Sequence, residues 1–233
     1  LLGGPTGMTV GLVLALAITG GSYWFSDKMA IRAAGARPLE ENELPWLRQT
    51  VAELAQAADI PMPRLYIAPS PQPNAFATGR NPNHAAVAVT EGILQVLDQQ
   101  ELRAVLAHEL GHVKNRDILI TSIAAAIGSA ITWVANIGVF FGGGDDERPN
   151  PIVAIMVMLL APLAAAIVQM SISRSREFQA DSTGAEMIHD GEPLARALLK
   201  IDAWAKQVPM DIDPAHATAY IINPLAGVNV GRL

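Results

Sequence analysis

Cysteine is absent from all 233 residues. Disulfide staples, thiol nucleophiles and thiolate zinc sites are thereby excluded together, and any metal site must be built from His, Asp and Glu. Charge is also scarce. Asp, Glu, Lys and Arg make up 16% of the chain, against roughly 25% in ordinary globular domains. The shortfall is concentrated in a few long runs without a single charge, which distinguishes a membrane protein from a soluble one with a large core. Clustered Lys and Arg are missing too, and the net charge is -6. That balance argues against nucleic acid as a partner, because phosphate binding needs clustered cations.

What is abundant is apolar sequence, at 51%. Three uncharged runs, Met8–Phe25, Ile118–Phe141 and Ile152–Ser173, approach or exceed the ~20 residues that cross a bilayer as helix. The third contains Pro162, which a membrane helix tolerates as a kink. Lys28, Arg32 and Arg37 follow the first run rather than precede it, so it reads as an anchor and not a signal peptide. Lys114 and Arg116 precede the second run, and Arg174 and Arg176 follow the third. The positive-inside bias puts all these ends in the cytoplasm. The Gly-, Asp- and Pro-rich linker Gly142–Pro151 then forms an outward-facing turn. The expected organisation is a transmembrane segment over 1–26, a first cytoplasmic part over 27–117, a transmembrane hairpin over 118–173 and a second cytoplasmic part over 174–233.

The remaining sequence predicts a mainly helical soluble part with a small β element. Apolar spacing predicts a helix over Leu39–Ala58, closed by Pro61 and Pro63. Arg64–Ala68 and Ala85–Thr90 read as strands, and Ser70–Asn83, heavy in Pro, Asn and Gly, as a loop between them. The second strand is either an edge on which an extended peptide pairs or an ordinary internal strand. Gln99–Asn115 reads as a helix with Asp98 as N-cap. Two more helices are expected over Arg174–Ile188 and Pro193–Lys206, with Pro193 at the first helical position.

The chemistry centres on His108-Glu109-Leu110-Gly111-His112. Histidines four apart on a helix share one face, one turn apart, and converge on a single ion. Glu109 then lies beside the water that such an ion binds. Zinc with three protein ligands keeps its fourth position for water and lowers the pKa of that water to about 7. Glu109 is placed to take the proton during attack on a peptide carbonyl and to deliver it to the leaving amine.

A third ligand is required. Glu101 lies about 10 Å along the helix axis from His108, too far to share its ion. His84, His189 and His216 have no partner at ligand spacing and read as solvated or locally bonded. Glu177 follows the third apolar run directly, and two crossings after His112 return the chain to the side it left. Asp181, one turn further on, reads either as an acceptor for the second ring N–H of a metal-bound His or as a surface acid.

Three runs resemble one family. His108–His112 continued through Asn115 and Asp117, Ser173–Asp181 with Glu177, and Pro69–Gly79 with Asn74 occur in the order found in the HtpX family of heat-shock-induced membrane proteases. These are relatives of the CAAX prenyl proteases, and the resemblance covers roughly Ser26 to Pro224. It implies a gluzincin-type domain, one Zn2+ per chain bound by His108, His112 and Glu177, and proteolysis of damaged or misfolded membrane proteins. The implied setting is a bacterial-type inner membrane, crossed several times, with the site facing the cytoplasm and other membrane quality-control proteases as partners. By the same resemblance Asn74 holds the substrate backbone; from the residues alone it is a turn former. The family usually has another N-terminal span and a later segment with a His-Pro pair, neither of which is seen here. Tyr220 and His216 are the available residues for stabilising an oxyanion. Two other readings share these features: a site-specific prenyl-protein-type processing protease, and a metal-binding membrane adaptor without turnover.

Overall fold

The computed structural model describes residues 4–141 and 151–207. The chain forms two compact units, one of Leu1–Phe25 with Asp117–Glu177, the other of Ser26–Arg116 with Phe178–Leu233.

The first unit contains α1 (Gly4–Trp24), α6 (Asp117–Phe141) and most of α7 (Pro151–Ile188). Two described helices are long and apolar enough to cross a membrane, at Thr6–Trp24 and Asp117–Ala135. Helix α1 packs against α6. Gly128 of α6 faces α7, where the Gln169 amide end and the Ala165 methyl lie over it. Near the α6 start, Arg176 Nη1 donates to Asp117 Oδ1 at 3.2 Å. Both side chains are largely buried, at 18% and 8% exposure, so the pair is held in a medium where an ion pair is strong.

One expectation is corrected here. The third apolar run and the helix expected over Arg174–Ile188 are not separate elements. They form one helix of 38 residues, continuous through Pro162 and through Ser173–Glu177, about 57 Å long at 1.5 Å per residue. Nothing in Ser-Arg-Ser-Arg-Glu breaks a helix, and Pro162 costs only local backbone hydrogen bonds. The linker turn expected over Gly142–Pro151 falls outside the described residues except for Pro151.

The second unit holds α2 (Ser26–Ala33), β1 (Arg37–Pro38), α3 (Pro45–Ala58), β2 (Arg64–Ala68), β3 (Ala75–Thr78), β4 (Ala86–Thr90), α4 (Glu91–Val96), α5 (Gln99–Lys114) and α8 (Glu192–Gln207), with the last part of α7. Strand order is β1-β2-β4-β3. β2 and β4 are parallel, and the other pairs are antiparallel. Every residue of β4 is buried, as expected for a strand covered on both faces. The core joins Leu47, Val51 and Leu54 of α3 to Val87 and Val89 of β4 and to Leu102, Val105, Leu106 and Leu110 of α5.

Three soluble-part expectations shift, and one open alternative is decided. The Leu39–Ala58 helix starts only at Pro45, after Leu44 in the left-handed region at φ 47. The preceding residues pair with β2 instead, Leu39 N–H donating to Leu65 O at 2.9 Å. The Ser70–Asn83 loop contains β3. Four residues are too few to show alternation between Pro and Gly signals, and their strand character comes from the β4 ladder. Of the two readings of Ala85–Thr90, the internal one is correct: β4 lies between β2 and β3. Pro193 is the second residue of α8, which begins at Glu192.

Helix α5 starts as expected. Asp98 Oδ1 accepts the N–H groups of Gln100 and Glu101, each at 2.9 Å, and Glu101 Oε2 accepts Asp98 N–H at 3.0 Å. This reciprocal cap satisfies three orphan donors. The Glu101 N–H, followed by that of Gln100 against an opposing contribution from burial, holds the Asp98 carboxyl below its ordinary value. A depressed folded value makes this stabilisation present above the unfolded pKa and lost as pH falls through the folded one. Asp98→Ala is expected to destabilise the protein by about 1 kcal/mol at neutral pH. Thermal unfolding in detergent should show the difference from wild type shrinking below about pH 4; a difference that persists at lower pH would remove the carboxylate cap as its cause.

Candidate metal centre

His108 and His112 project from one face of α5, with ring centroids 4.8 Å apart and planes at 89°. Their Nε2 atoms are 3.2 Å apart. His108 Nδ1 meets Asp181 Oδ1 at 2.8 Å. With the Nδ1 proton donated to that carboxylate, the Nε2 lone pair of His108 is turned toward His112. Two nitrogens bound at about 2.05 Å with tetrahedral angles lie roughly 3.3 Å apart, so the observed spacing fits a shared ion.

Glu177 stands four residues before Asp181 on α7, one turn away on the same face. One ligand atom each from His108, His112 and Glu177 lie within 4.8 Å of one another, the histidines half-buried and the glutamate exposed. Two imidazoles and one carboxylate form the donor set of a catalytic rather than a structural zinc site. The residues present fit the ion that the sequence implied.

This arrangement depends on close contact between helix backbones. A Cβ on Gly111 would stand 2.9 Å from Ala180 O, and one on Gly184 would stand 3.0 Å from His108 Cα and N. At either position a side chain would require the facing backbone to shift. The two glycines lie on opposite partners, Gly111 on α5 and Gly184 on α7, and set the separation across which Glu177 and Asp181 must reach. Asn115 Nδ2 donates to Thr183 Oγ1 at 3.3 Å beside the same crossing.

Glu109, between the two histidines in sequence, reaches the sheet. Its side chain is buried, and Oε2 accepts the Ala77 N–H of β3 at 3.1 Å. Thr90 N–H donates to Asn74 O at 2.9 Å. Antiparallel alternation then directs the N–H and C=O of Ala75 and Ala77 away from β4. No described strand pairs with that side of β3. The open strand beside the site is therefore β3, in the segment the sequence read as a loop, and β4 is the internal strand.

Asn74 is buried immediately before β3, and its own N–H donates to Thr90 Oγ1 at 2.9 Å. The Thr90 hydroxyl donates to Gln72 O at 2.6 Å and accepts the Ile93 N–H at 3.2 Å, capping α4. The loop ahead of β3 also rests on Gly92, where a Cβ would stand 2.1 Å from Pro71 O. Sequence reasoning missed Ala77, Thr90, Gly92 and Gly184 as supports of the site. The available signal was a pair of glycines in helical sequence, which marks close backbone approach.

Glu101 is fully buried and bound by Lys200 Nζ at 2.7 Å, away from the metal group, as the axial distance requires. His84 is locally bonded, Nδ1 to Asn81 Oδ1 at 2.9 Å. His216 and Tyr220 lie outside the described residues.

Residues 41–220 match the family described as Peptidase family M48. The chain belongs to peptidase family M48. It is 51% identical over 239 residues to Protease HtpX homolog of Pelotomaculum thermopropionicum, a match spanning 100% of this chain and 85% of that protein. The protein of the same name from Burkholderia thailandensis is 52% identical over 238 residues, spanning 100% and 84%. The resemblance to HtpX read from the motifs is thus shown, and this M48 chain is a protease by family. Among solved structures, S. mikatae Ste24p superposes with a TM-score of 0.61 at 22% identity, over 93% of this chain and 54% of that one. That likeness is one of fold, and this chain spans about half of the larger structure.

Two substitutions test the geometry through metal affinity. Gly184→Val is expected to weaken zinc binding by at least tenfold while α5 and the sheet stay folded, because the new methyls force the helices apart. Asp181→Asn should weaken it by 10- to 100-fold. Competition against a chromophoric chelator, with circular dichroism as the control for folding, measures both. Unchanged affinity in Gly184→Val would show that the crossing distance does not control the site.

Proposed function

We propose that this M48 protease is a membrane-embedded, zinc-dependent endopeptidase whose ligands are His108, His112 and Glu177 and whose general base is Glu109. The observation that carries this reading is the convergence of the three ligand atoms beside a buried carboxylate held at an open strand edge. Zinc bound there would supply Lewis acidity, activating water near neutral pH and polarising the scissile carbonyl.

The chain's own residues supply the rest. Asp181 holds the His108 ring in one tautomer and orientation. Glu109 Oε2, fixed by the Ala77 N–H, takes a proton from the attacking water and returns it to the leaving amine. The outward N–H and C=O of Ala75 and the outward C=O of Ala77 offer an extended peptide a strand to pair with, which aligns its backbone past Glu109. Buried Asn74 fixes the start of that strand through its backbone bonds to Thr90, and contact with the substrate backbone is the role proposed for it.

Support for a membrane setting comes from the two apolar helices at Thr6–Trp24 and Asp117–Ala135 and from the uncharged run in α7. The distribution of Lys and Arg favours several crossings, with the site on the cytoplasmic side of a bacterial-type inner membrane. The substrates proposed are misfolded or damaged membrane proteins cleaved at that surface, possession of an open edge strand favouring unfolded segments. Glu109 also distinguishes this reading from a metal-binding adaptor, which needs no base.

Glu109→Gln provides the test. Purified in the same detergent and loaded with zinc, it is expected to bind the metal as wild type does and to lose cleavage of an unfolded protein by at least a thousandfold. Wild-type-like cleavage by the variant would eliminate Glu109 as the base. Zinc bound by both proteins with cleavage by neither would favour the adaptor.

A further inference from the structure

A second site lies in the Ser26–Arg116 part of the chain, remote in sequence from the zinc ligands. A cleft of about 430 Å³ is lined by Asp27, Lys28, Ile31, Arg32, Gly35, Ala36, Arg64 and Tyr66. That volume lies in the range of roughly 300–1,000 Å³ typical of small-molecule sites. Three of its lining side chains are cationic and one is anionic.

The anion is already committed. Asp27 is 6% exposed, and Arg64 Nη2 donates to its Oδ2 at 2.6 Å. Burial alone would raise the Asp27 pKa, but the Arg64 hydrogen bond and nearby backbone N–H groups hold it below the ordinary value. Asp27 therefore remains a carboxylate and anchors Arg64, the first residue of β2, to α2. Lys28 and Arg32 lie four apart on one face of α2 and are exposed. The end of α2 is fixed as well. Gly35 adopts φ 59, its N–H donates to Arg32 O at 3.1 Å, and Ala36 N–H donates to Ile31 O at 3.1 Å. Both walls are thus ordered without any ligand, and the cleft carries an excess of positive charge.

We propose that this cleft binds the phosphate of an anionic phospholipid headgroup through Lys28, Arg32 and Arg64. Chain connectivity favours a lipid source over free phosphate. Ser26 follows Trp24, the last residue of the apolar helix α1, by two positions, so the cleft is formed where the chain leaves its first apolar run. Trp24, exposed at 56%, is of the aromatic type that occupies the headgroup level. A phosphodiester meets the planar Arg fork and the Lys ammonium with charge-assisted hydrogen bonds. Tyr66 closes the cleft on the β2 side. The lipid source, though not the phosphate chemistry, rests on the membrane setting proposed above.

The test uses the full chain in a zwitterionic detergent and short-chain dihexanoyl phosphatidylglycerol as the probe, with binding followed by native mass spectrometry. Saturable one-to-one binding is expected, with dihexanoyl phosphatidylcholine competing poorly. Lys28→Gln and Arg32→Gln should each weaken binding about fivefold, while Arg103→Gln, which removes the same charge elsewhere, should not. Equal weakening by all three, or no binding at all, would overturn the site. Inorganic phosphate displacing the probe at the probe's own concentration would overturn the lipid source and leave a free-phosphate site. Flotation with phosphatidylglycerol vesicles is run in parallel on wild type. Failure to float with the soluble probe still bound would fault the membrane setting rather than the cleft.

Discussion

Contact between the backbones of α5 and α7 is the constraint on which the site depends. Metal–ligand bonds tolerate errors of a few tenths of an ångström, whereas helices carrying ordinary side chains at their contact pack 8–10 Å apart. Gly111 and Gly184 remove the side chains that would stand between them. Once the backbones meet, His108 reaches Asp181 at 2.8 Å, and Glu177 follows because it shares a helix face with Asp181. The Arg176–Asp117 pair then ties the residue before Glu177 to the helix that begins five residues after His112. Side chains on the two glycines would push the Ala180 and His108 backbones away.

The opposite wall of the site is ordered by polar bonds. Thr90 ends β4, caps α4 and receives the chain at Asn74, and the loop ahead of β3 lies against Gly92. These contacts give a four-residue strand a fixed register, though such a strand has little stability of its own. From that register Ala77 presents its N–H to Glu109. The metal side is thus set by helix packing and the Glu109 side by strand pairing, with the buried core of α5 and β4 connecting them.

Much of this was legible in the sequence because it is carried by local patterns. His108 and His112 are four apart, Asp98 precedes an apolar helix with Glu101 three residues on, and Leu47, Val51 and Leu54 repeat at helical spacing. All three patterns appear in the structure as helix geometry requires. What escaped was decided by distant partners. Strand β3 exists because Ala86–Thr90 pairs with it, and Leu39 leaves the expected helix because its N–H bonds to Leu65 of β2. The unbroken α7 escaped for a different reason. A change from apolar to charged sequence at Arg174 signals a change of surroundings, but it does not signal a change of backbone.

That continuity gives α7 the properties of a screw. Each residue advances it by 1.5 Å and turns it by roughly 100°. The apolar run near its start and the carboxylate of Glu177 are therefore locked in phase as well as in distance. One added residue between Pro162 and Glu177 would rotate one against the other by more than a quarter turn. Seven would restore the phase to within roughly 20° but lengthen the helix by about 10 Å. No insertion preserves both quantities, so the number of residues in this stretch is constrained more tightly than their identities.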